Sequence, residues 1–163
     1  MIRVRPATAE DVPALRAVGL RTWEATYAGV LSDAAVAGGA AEFFNDWSLG
    51  AAVRAGRMLV AVDDTDAVVG LLETDVVDAV RTMVWKLYVA PEAQRRGAGS
   101  ALVERALATA TTPEVRVEHD ARNAVAAAFF ARHGFAVDAV EEAGDGARTV
   151  RRVRRVSPRG APR

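Results

Sequence analysis

The most constraining feature of the chain is a seven-residue segment, Gln94-Arg-Arg-Gly-Ala-Gly-Ser100, which joins two differently patterned stretches. Before it stands the apolar run 83–89, which has the length of a buried strand and is followed by Pro91. After it, from Ser100 to Thr109, apolar residues recur with the spacing of one helix face. The segment therefore predicts a strand, a short loop and a helix that begins among the glycines.

The residues of this loop indicate an anion-binding site. The first amides of a helix have no intrahelical partners and lie at the positive end of the helix dipole. Gly97 and Gly99 would let a charged ligand approach the backbone closely, and Arg95 and Arg96 add fixed positive charge. The pattern therefore predicts a cradle for phosphate groups.

Two known kinds of phosphate loop fit this segment poorly. A nucleoside-triphosphate loop requires lysine directly after its last glycine, and neither Gly97 nor Gly99 is followed by one. A dinucleotide-binding fingerprint requires a third glycine where Leu102 stands. Glu118 and Asp120 do lie about twenty residues downstream, where that fold places an acid, so the dinucleotide fold stays open as an alternative.

Composition predicts one domain of an ordinary globular class. The 163 residues are 51% hydrophobic and 26% charged, which suffices for a core. The sequence has no cysteine and two histidines, which excludes disulfides and thiolate chemistry and leads us to expect no metal site. The chain opens on a strand pattern rather than a signal peptide and has no membrane-length apolar run. We therefore expect a cytoplasmic protein with no membrane partner.

Charge is unevenly distributed along the chain. Residues 148–163 hold seven arginines and no acid, which leaves 14 basic and 21 acidic residues in 1–147. The stretch 148–156 predicts an edge strand with a solvated face, and 157–163 a flexible basic tail. No aromatic residue interleaves these arginines, so we expect no nucleic-acid partner. The expected organisation is a single domain over 1–156 followed by the tail.

Hydrophobic periodicity and turn residues predict the element order β-α-α-β-β-β-α-β-α-β-β. The segment 23–29 is expected to break the first helix, and one helical stretch is expected to follow it as far as Trp47. The last two strands are expected to pair across a turn at 144–146. The central strand–helix–strand crossover indicates an α+β or mixed α/β fold.

The loop resembles the pyrophosphate loop of the GCN5-related N-acetyltransferase (GNAT) superfamily, whose pattern is Gln/Arg-x-x-Gly-x-Gly/Ala between a strand and a helix. A second segment, from Asn123 through Phe129-Phe130 to Gly134-Phe135, is similar to the later Asn…Phe/Leu-Tyr-x-x-x-Gly-Phe block of that family. The resemblance implies a central, mostly antiparallel sheet of six to seven strands with splayed central strands, flanked by about four helices.

The resemblance also implies an activity. Acetyl-CoA (coenzyme A) would be the co-substrate, without a metal, and its acetyl group would pass to a primary amine of a small molecule or peptide by direct attack in a ternary complex. A homodimer is a further expectation, because dimers are common in the family.

The resemblance assigns the coenzyme-binding residues. Amides of the loop would hold the pyrophosphate, the exposed main chain at the end of the preceding strand would pair with the pantetheine arm, and an amide there would meet the developing oxyanion. Asn123 would hydrogen-bond the arm. The implied set is Leu87, Tyr88, Val89, Gln94, Arg95, Arg96, Gly97, Ala98, Gly99, Ser100, Asn123 and Phe130.

The proton-transfer groups stay open at this point. Glu118, His119 and Glu73 are the candidate general bases; Glu118 lies five residues before Asn123, where some family members carry a catalytic glutamate. Phe130 stands where the family often has a tyrosine near the coenzyme sulfur, and phenylalanine has no proton to give. The alternative function is therefore a non-catalytic acyl-CoA-binding or regulatory domain.

The acceptor is expected to contact the front half of the chain. Trp23, Glu24 and Tyr27 form a Trp-x-x-x-Tyr-x-Gly element similar to one in many bacterial members, expected in the loop between the first two helices. Its aromatic rings would line the acceptor site and Glu24 would attract a cation; packing in the core is the alternative role.

Overall fold

The computed structural model describes residues 1–142 and 146–157. Its strands are β1 (Arg3–Pro6), β2 (Met58–Val62), β3 (Val68–Val76), β4 (Arg81–Val89), β5 (Glu114–Asp120), β6 (Ala136–Glu142) and β7 (Arg148–Arg155). Its helices are α1 (Val12–Tyr27), α2 (Asp33–Phe43), α3 (Asp46–Arg54), α4 (Ala98–Thr109) and α5 (Ala124–Arg132). The strands follow one another across the sheet in the order β1-β2-β3-β4-β5-β7-β6, and the predicted mixed α+β fold with a mostly antiparallel sheet is confirmed.

The chain divides into two compact units. The first comprises Met1–Glu73 and Lys86–Glu104, and the second comprises Thr74–Trp85 and the chain from Arg105 onwards. Each unit has its own buried apolar residues: Leu15, Phe44, Leu49, Leu71 and Leu102 in the first, and Val115, Val117, Phe130 and Phe135 in the second. The single domain over 1–156 stays a prediction, and residues 158–163 of the predicted tail lie outside the described residues.

In the first unit, α1 is longer than the sequence predicts. The helix continues through Trp23 to Tyr27, so the expected break at Trp23 is wrong. These two aromatic residues are four positions apart and therefore lie on one helix face, where their ring centroids are 4.5 Å apart. Ring contact on that face favours the helix over the loop that the sequence predicts there.

The helical stretch predicted towards Trp47 consists of two helices. The Asn45 side chain accepts a hydrogen bond from the Ser48 amide at 2.9 Å and caps the start of α3, which separates it from α2. The ring of Phe44, between the two helices, fills the space beside Gly19 of α1, where a Cβ would overlap it. No helix within 1–142 and 146–157 is both long and apolar enough to cross a membrane.

In the second unit, β7 is an inner strand. It pairs antiparallel with β5 on one side and with β6 on the other, so the predicted edge position is wrong, whereas the predicted pairing with β6 is confirmed. Its arginines bind specific partners instead of forming a solvated face: Arg151 donates to Asp138 at 2.8 Å and Arg152 to His119 at 3.0 Å. Residues 143–145, which include most of the predicted turn, lie outside the described residues.

Strands β4 and β5 pair in parallel. Residues Arg81–Val84 of β4 pair with Glu114–Val117 of β5, which is the first half of each strand. Parallel neighbours need a crossover connection, and the helix of that crossover is α4. The loop singled out by the sequence therefore leads directly into the crossover helix.

Candidate functional site

The loop between β4 and α4 has the geometry that its sequence predicts. A 3-10 turn at Pro91–Ala93 leads into it, and α4 begins at Ala98, between the two glycines. Arg95 and Gly97 adopt left-handed backbone conformations, with φ of 62° and 89°. The Gly97 carbonyl accepts the first helical hydrogen bond, from the Ala101 amide at 2.9 Å. Because α4 starts at this point, the amides of its first turn lie at the helix end that attracts anions.

The surface of this loop is open and basic. Gln94 to Gly97 are exposed, whereas Ala98 is buried and anchors the helix start. A Cβ at Gly97 would meet no atom within 4 Å, so the backbone there faces free space. Glu92, the acid nearest in sequence, is paired with Arg21 at 2.9 Å. Arg95 and Arg96 are exposed on the same loop, where a phosphate group can reach them, and their contact with a coenzyme pyrophosphate stays a prediction.

The end of β4 is held firmly in the first unit. The Val89 carbonyl lies 3.2 Å from both the Thr22 hydroxyl and the Gln94 side-chain amide, and the Ala90 amide donates to the Val69 carbonyl at 2.8 Å. Gly70 lies so close that a Cβ there would be 3.3 Å from the Tyr88 carbonyl. Several independent contacts therefore fix the backbone that carries Leu87, Tyr88 and Val89; their contact with a pantetheine arm stays a prediction.

The predicted acceptor residues belong to an aromatic cluster of the first unit. Trp23 contacts the rings of Tyr27 and Phe44, and Phe44 in turn contacts Tyr88 with centroids 5.1 Å apart. The indole N–H of Trp23 donates to the Val36 carbonyl at 2.9 Å. Burial raises the pKa of Tyr88, so its hydroxyl stays protonated at neutral pH. Packing accounts for the Trp23 ring, and acceptor binding by this cluster stays a prediction.

Glu24 is on the exposed side of α1. With Asp33 and the apolar residues Ala28, Val36 and Ala37 it lines an open pocket of about 280 Å³. Two carboxylates above an apolar floor match the expectation that Glu24 attracts a cation, which remains a prediction.

Glu73 is buried among cations in the first unit. One of its carboxylate oxygens accepts a hydrogen bond from Lys86 Nζ at 2.5 Å, and the other lies 3.6 Å from an Arg57 guanidinium nitrogen. We interpret Glu73 as the counter-ion of Lys86 and Arg57. The sequence analysis missed this ion cluster, although the position of the chain's only lysine within an apolar strand was a signal for it.

Two other candidate bases lie next to each other on β5 in the second unit. Glu118 is exposed and stands opposite Arg151 of β7. His119 is 9% exposed, and both of its ring nitrogens have a neighbour within hydrogen-bond distance. Its Nε2 lies beside Arg152 Nε, and its Nδ1 lies beside the Asp120 carbonyl oxygen. Of this pair, only Glu118 presents a side chain to solvent.

The segment from Asn123 to Phe135 comprises α5, the residue before it and the residues directly after it. Asn123 is the N-cap residue, and its Oδ1 accepts from the Ala126 amide at 2.9 Å, so the amide half of the side chain is not used by the cap. Phe130 is 5% exposed and contacts the rings of Phe129, Phe135 and His119. The ring at the position of the family's tyrosine is therefore part of the core of the second unit.

Known proteins that resemble this chain include N-acetyltransferases. The chain is similar to the PaiA N-acetyltransferase of Thermoplasma acidophilum, solved in complex with coenzyme A, with 22% identity, a TM-score of 0.79, and coverage of 93% of this chain and 98% of that one. It is also similar to the ribosomal-protein-S18-alanine N-acetyltransferase of Escherichia coli, with 18% identity, a TM-score of 0.72, and coverage of 100% and 99%. A search of curated protein sequences finds no match. A family model described as the acetyltransferase (GNAT) domain matches residues 54–137. The chain belongs to the GNAT acetyltransferase family.

Proposed function

We propose that this protein is an acyl-CoA-dependent N-acetyltransferase that transfers an acetyl group from acetyl-CoA to a primary amine of a small molecule or peptide. The observation that carries the proposal is the loop from Gln94 to Ser100. Its two left-handed residues, its exposed arginines and the start of α4 form a basic, exposed backbone surface of the kind that binds phosphates. Family membership supports coenzyme A as the phosphate-bearing ligand.

The proposed reaction is a direct displacement in a ternary complex. Bound acetyl-CoA supplies the acetyl group as a thioester; the amine nitrogen forms the new C–N bond and gives up a proton to the base, the C–S bond breaks, and the thiolate takes up a proton from water. The main chain of β4 at Leu87 to Val89 would orient the donor, and an amide there would stabilise the oxyanion. The hydrogen bonds that fix Val89 support this role because they hold the strand end in one position.

Glu118 is the base that we favour among the three candidates. A base must exchange protons with the amine directly or through water, which requires an accessible side chain. Glu118 is exposed, whereas Glu73 is buried between two cations and His119 is buried with both nitrogens hydrogen-bonded. A Glu118→Gln variant should therefore lose turnover and keep its affinity for the coenzyme.

One observation favours a second candidate function, a non-catalytic acyl-CoA-binding domain. Phe130 supplies no hydroxyl where the family often has tyrosine, and its ring is enclosed by other aromatic rings. Such a protein would keep the phosphate loop and bind the coenzyme without transferring its acyl group.

A two-part experiment separates these functions. The first part measures binding of coenzyme A and acetyl-CoA by calorimetry, and the second measures thiol release from acetyl-CoA with a panel of polyamines, aminoglycosides and peptide N-termini. Saturable binding with acceptor-dependent thiol release is the expected result. Binding without release across the panel would favour the binding domain, and no binding of either coenzyme form would refute both functions.

A further inference from the structure

His119 carries no free lone pair at its ring. Arg152 Nε lies 3.0 Å from His119 Nε2, and an arginine N–H can only donate. Nε2 must therefore accept, so the imidazole proton is on Nδ1, which lies 2.9 Å from the Asp120 carbonyl oxygen and donates to it. The hydrogen bonds define one neutral tautomer, in which the nitrogen that a base would use is already occupied.

The donor to His119 is itself fixed. A terminal nitrogen of Arg152 donates to the Phe135 carbonyl at 3.2 Å, and in the β5–β7 ladder Arg152 stands opposite Val117, two residues before His119. Two hydrogen bonds from one guanidinium therefore join β7 to the His119 ring and to the start of β6.

The acceptor of the His119 proton belongs to the turn that carries Asn123. The Asp120 carbonyl oxygen also accepts a hydrogen bond from the Asn123 backbone amide at 2.9 Å, so this one oxygen accepts hydrogen bonds from both His119 and Asn123. The Asp120 carboxylate accepts hydrogen bonds from the Arg122 backbone amide at 2.8 Å and from the Arg122 guanidinium. These hydrogen bonds from Arg122 lower the pKa of Asp120 to about 2. The turn is thus tied to β7 through His119.

The His119 ring also contacts α5. It lies nearly parallel to the ring of Phe130, with centroids 6.4 Å apart and an angle of 12° between the planes. The α5 helix begins with the Asn123 cap, so the same imidazole touches both the turn before the helix and the helix itself.

We propose that His119 is a positioning residue for Asn123 and not the general base. The chain Arg152 Nε–H to His119 Nε2 and His119 Nδ1–H to the Asp120 carbonyl holds the turn at which the Asn123 side chain starts. The inference rests on the proposed function, because Asn123 matters here as the residue that would hydrogen-bond the coenzyme arm. Loss of His119 should therefore weaken coenzyme binding without slowing the chemical step.

Two substitutions separate the two hydrogen bonds of the ring. In His119→Asn, the side-chain amide would lie near the former Nδ1 position and could still donate to the Asp120 carbonyl. The shorter side chain would not reach Arg152. The longer His119→Gln side chain reaches Arg152 but has no donor near the former Nδ1 position. We expect His119→Gln to raise the Kd for coenzyme A and the KM for acetyl-CoA about fivefold, as for a lost hydrogen bond. We expect His119→Asn to remain closer to the wild type, and both variants to keep kcat within about twofold.

Three results would overturn the inference. A general base would show the opposite split, with kcat reduced about a hundredfold or more in both variants and the coenzyme Kd unchanged. An unchanged Kd and KM in His119→Gln, with the wild type binding coenzyme A normally, would refute the positioning role alone. Failure of the wild type to bind coenzyme A would refute the proposed function and this inference with it.

A spectroscopic test needs no folded variant at position 119. Nitrogen-15 NMR of the imidazoles in the full chain reports which ring nitrogen carries the proton. His133 is the only other histidine, so a His133→Gln sample assigns the signals. We expect a protonated Nδ1 and a bare Nε2 for His119 at neutral pH. A proton on Nε2, or an imidazolium, would contradict the hydrogen-bond chain.

Discussion

Gly97 offers the sharpest test of the phosphate cradle. Its φ of 89° lies in the left-handed region, where a residue with a Cβ costs about 1–2 kcal/mol. The added methyl group of Gly97→Ala would meet no atom within 4 Å in the protein itself. The substitution should therefore lower the free energy of unfolding by about 1 kcal/mol through backbone strain alone.

Its effect on the ligand should be larger than this strain. A Cβ at position 97 projects from the exposed backbone surface where the pyrophosphate would lie, so it would hold the phosphates away from the first amides of α4. We expect the Kd for coenzyme A to rise at least about tenfold, which corresponds to about 1.4 kcal/mol of binding free energy. Calorimetric titration gives the Kd, and urea unfolding gives the stability of the same sample.

Gly56 provides the matched control. It is exposed, has φ of 69°, and a Cβ there would also meet open space, so Gly56→Ala carries a similar backbone strain. We expect it to lose about as much stability as Gly97→Ala and to bind coenzyme A like the wild type. Equal coenzyme affinity in the two variants would refute the assignment of the loop as the phosphate site.

Three other substitutions test an ion pair, a close contact and the missing hydroxyl at Phe130. Hydrogen bonds from Arg5 lower the pKa of Asp11 to about 2, so this stabilisation is complete above the ordinary value of 3.8 and is lost as the pH falls towards 2. Asp11→Asn should cost about 2 kcal/mol at neutral pH and flatten the acid-induced loss in urea unfolding, and an unchanged acid slope would contradict this. Gly19→Ala should destabilise the fold by about 1–3 kcal/mol because its methyl group overlaps the Phe44 ring, and an unchanged thermal midpoint would contradict that. Phe130→Tyr should keep or raise kcat for acetyl transfer because it adds a hydroxyl at the position of the family's tyrosine; a large loss of kcat with an unchanged thermal midpoint would contradict this.

The strand–loop–helix unit around Gly97 could be predicted because its signals are local. The apolar run, the proline, the glycines and the helix period all lie within about thirty residues of sequence, and each has a direct physical meaning. The turn at Asp63 depends on equally local contacts, because its carboxylate accepts hydrogen bonds from the amides of Thr65 and Ala67.

Other features could not be predicted because they depend on contacts between distant residues. The position of β7 depends on which strands it pairs with, and its own sequence does not contain that information. The break predicted at Trp23 ignored the ring partners in α2 and beyond that stabilise the last turns of α1. Likewise, the sequence indicates Glu73 and His119 as candidate bases, but it does not show that Lys86 donates a hydrogen bond to Glu73 and Arg152 to His119.

The inner position of β7 bears on how the protein is made. Strand β7, which ends at Arg155, is the antiparallel neighbour of both β5 and β6, so the second unit cannot complete its sheet until Arg155 has left the ribosome. At about 5–20 residues per second, the β5 and β6 edges wait seconds for this partner, exposed to wrong pairing. Premature termination before β7 should therefore yield an aggregation-prone chain rather than a shortened folded protein.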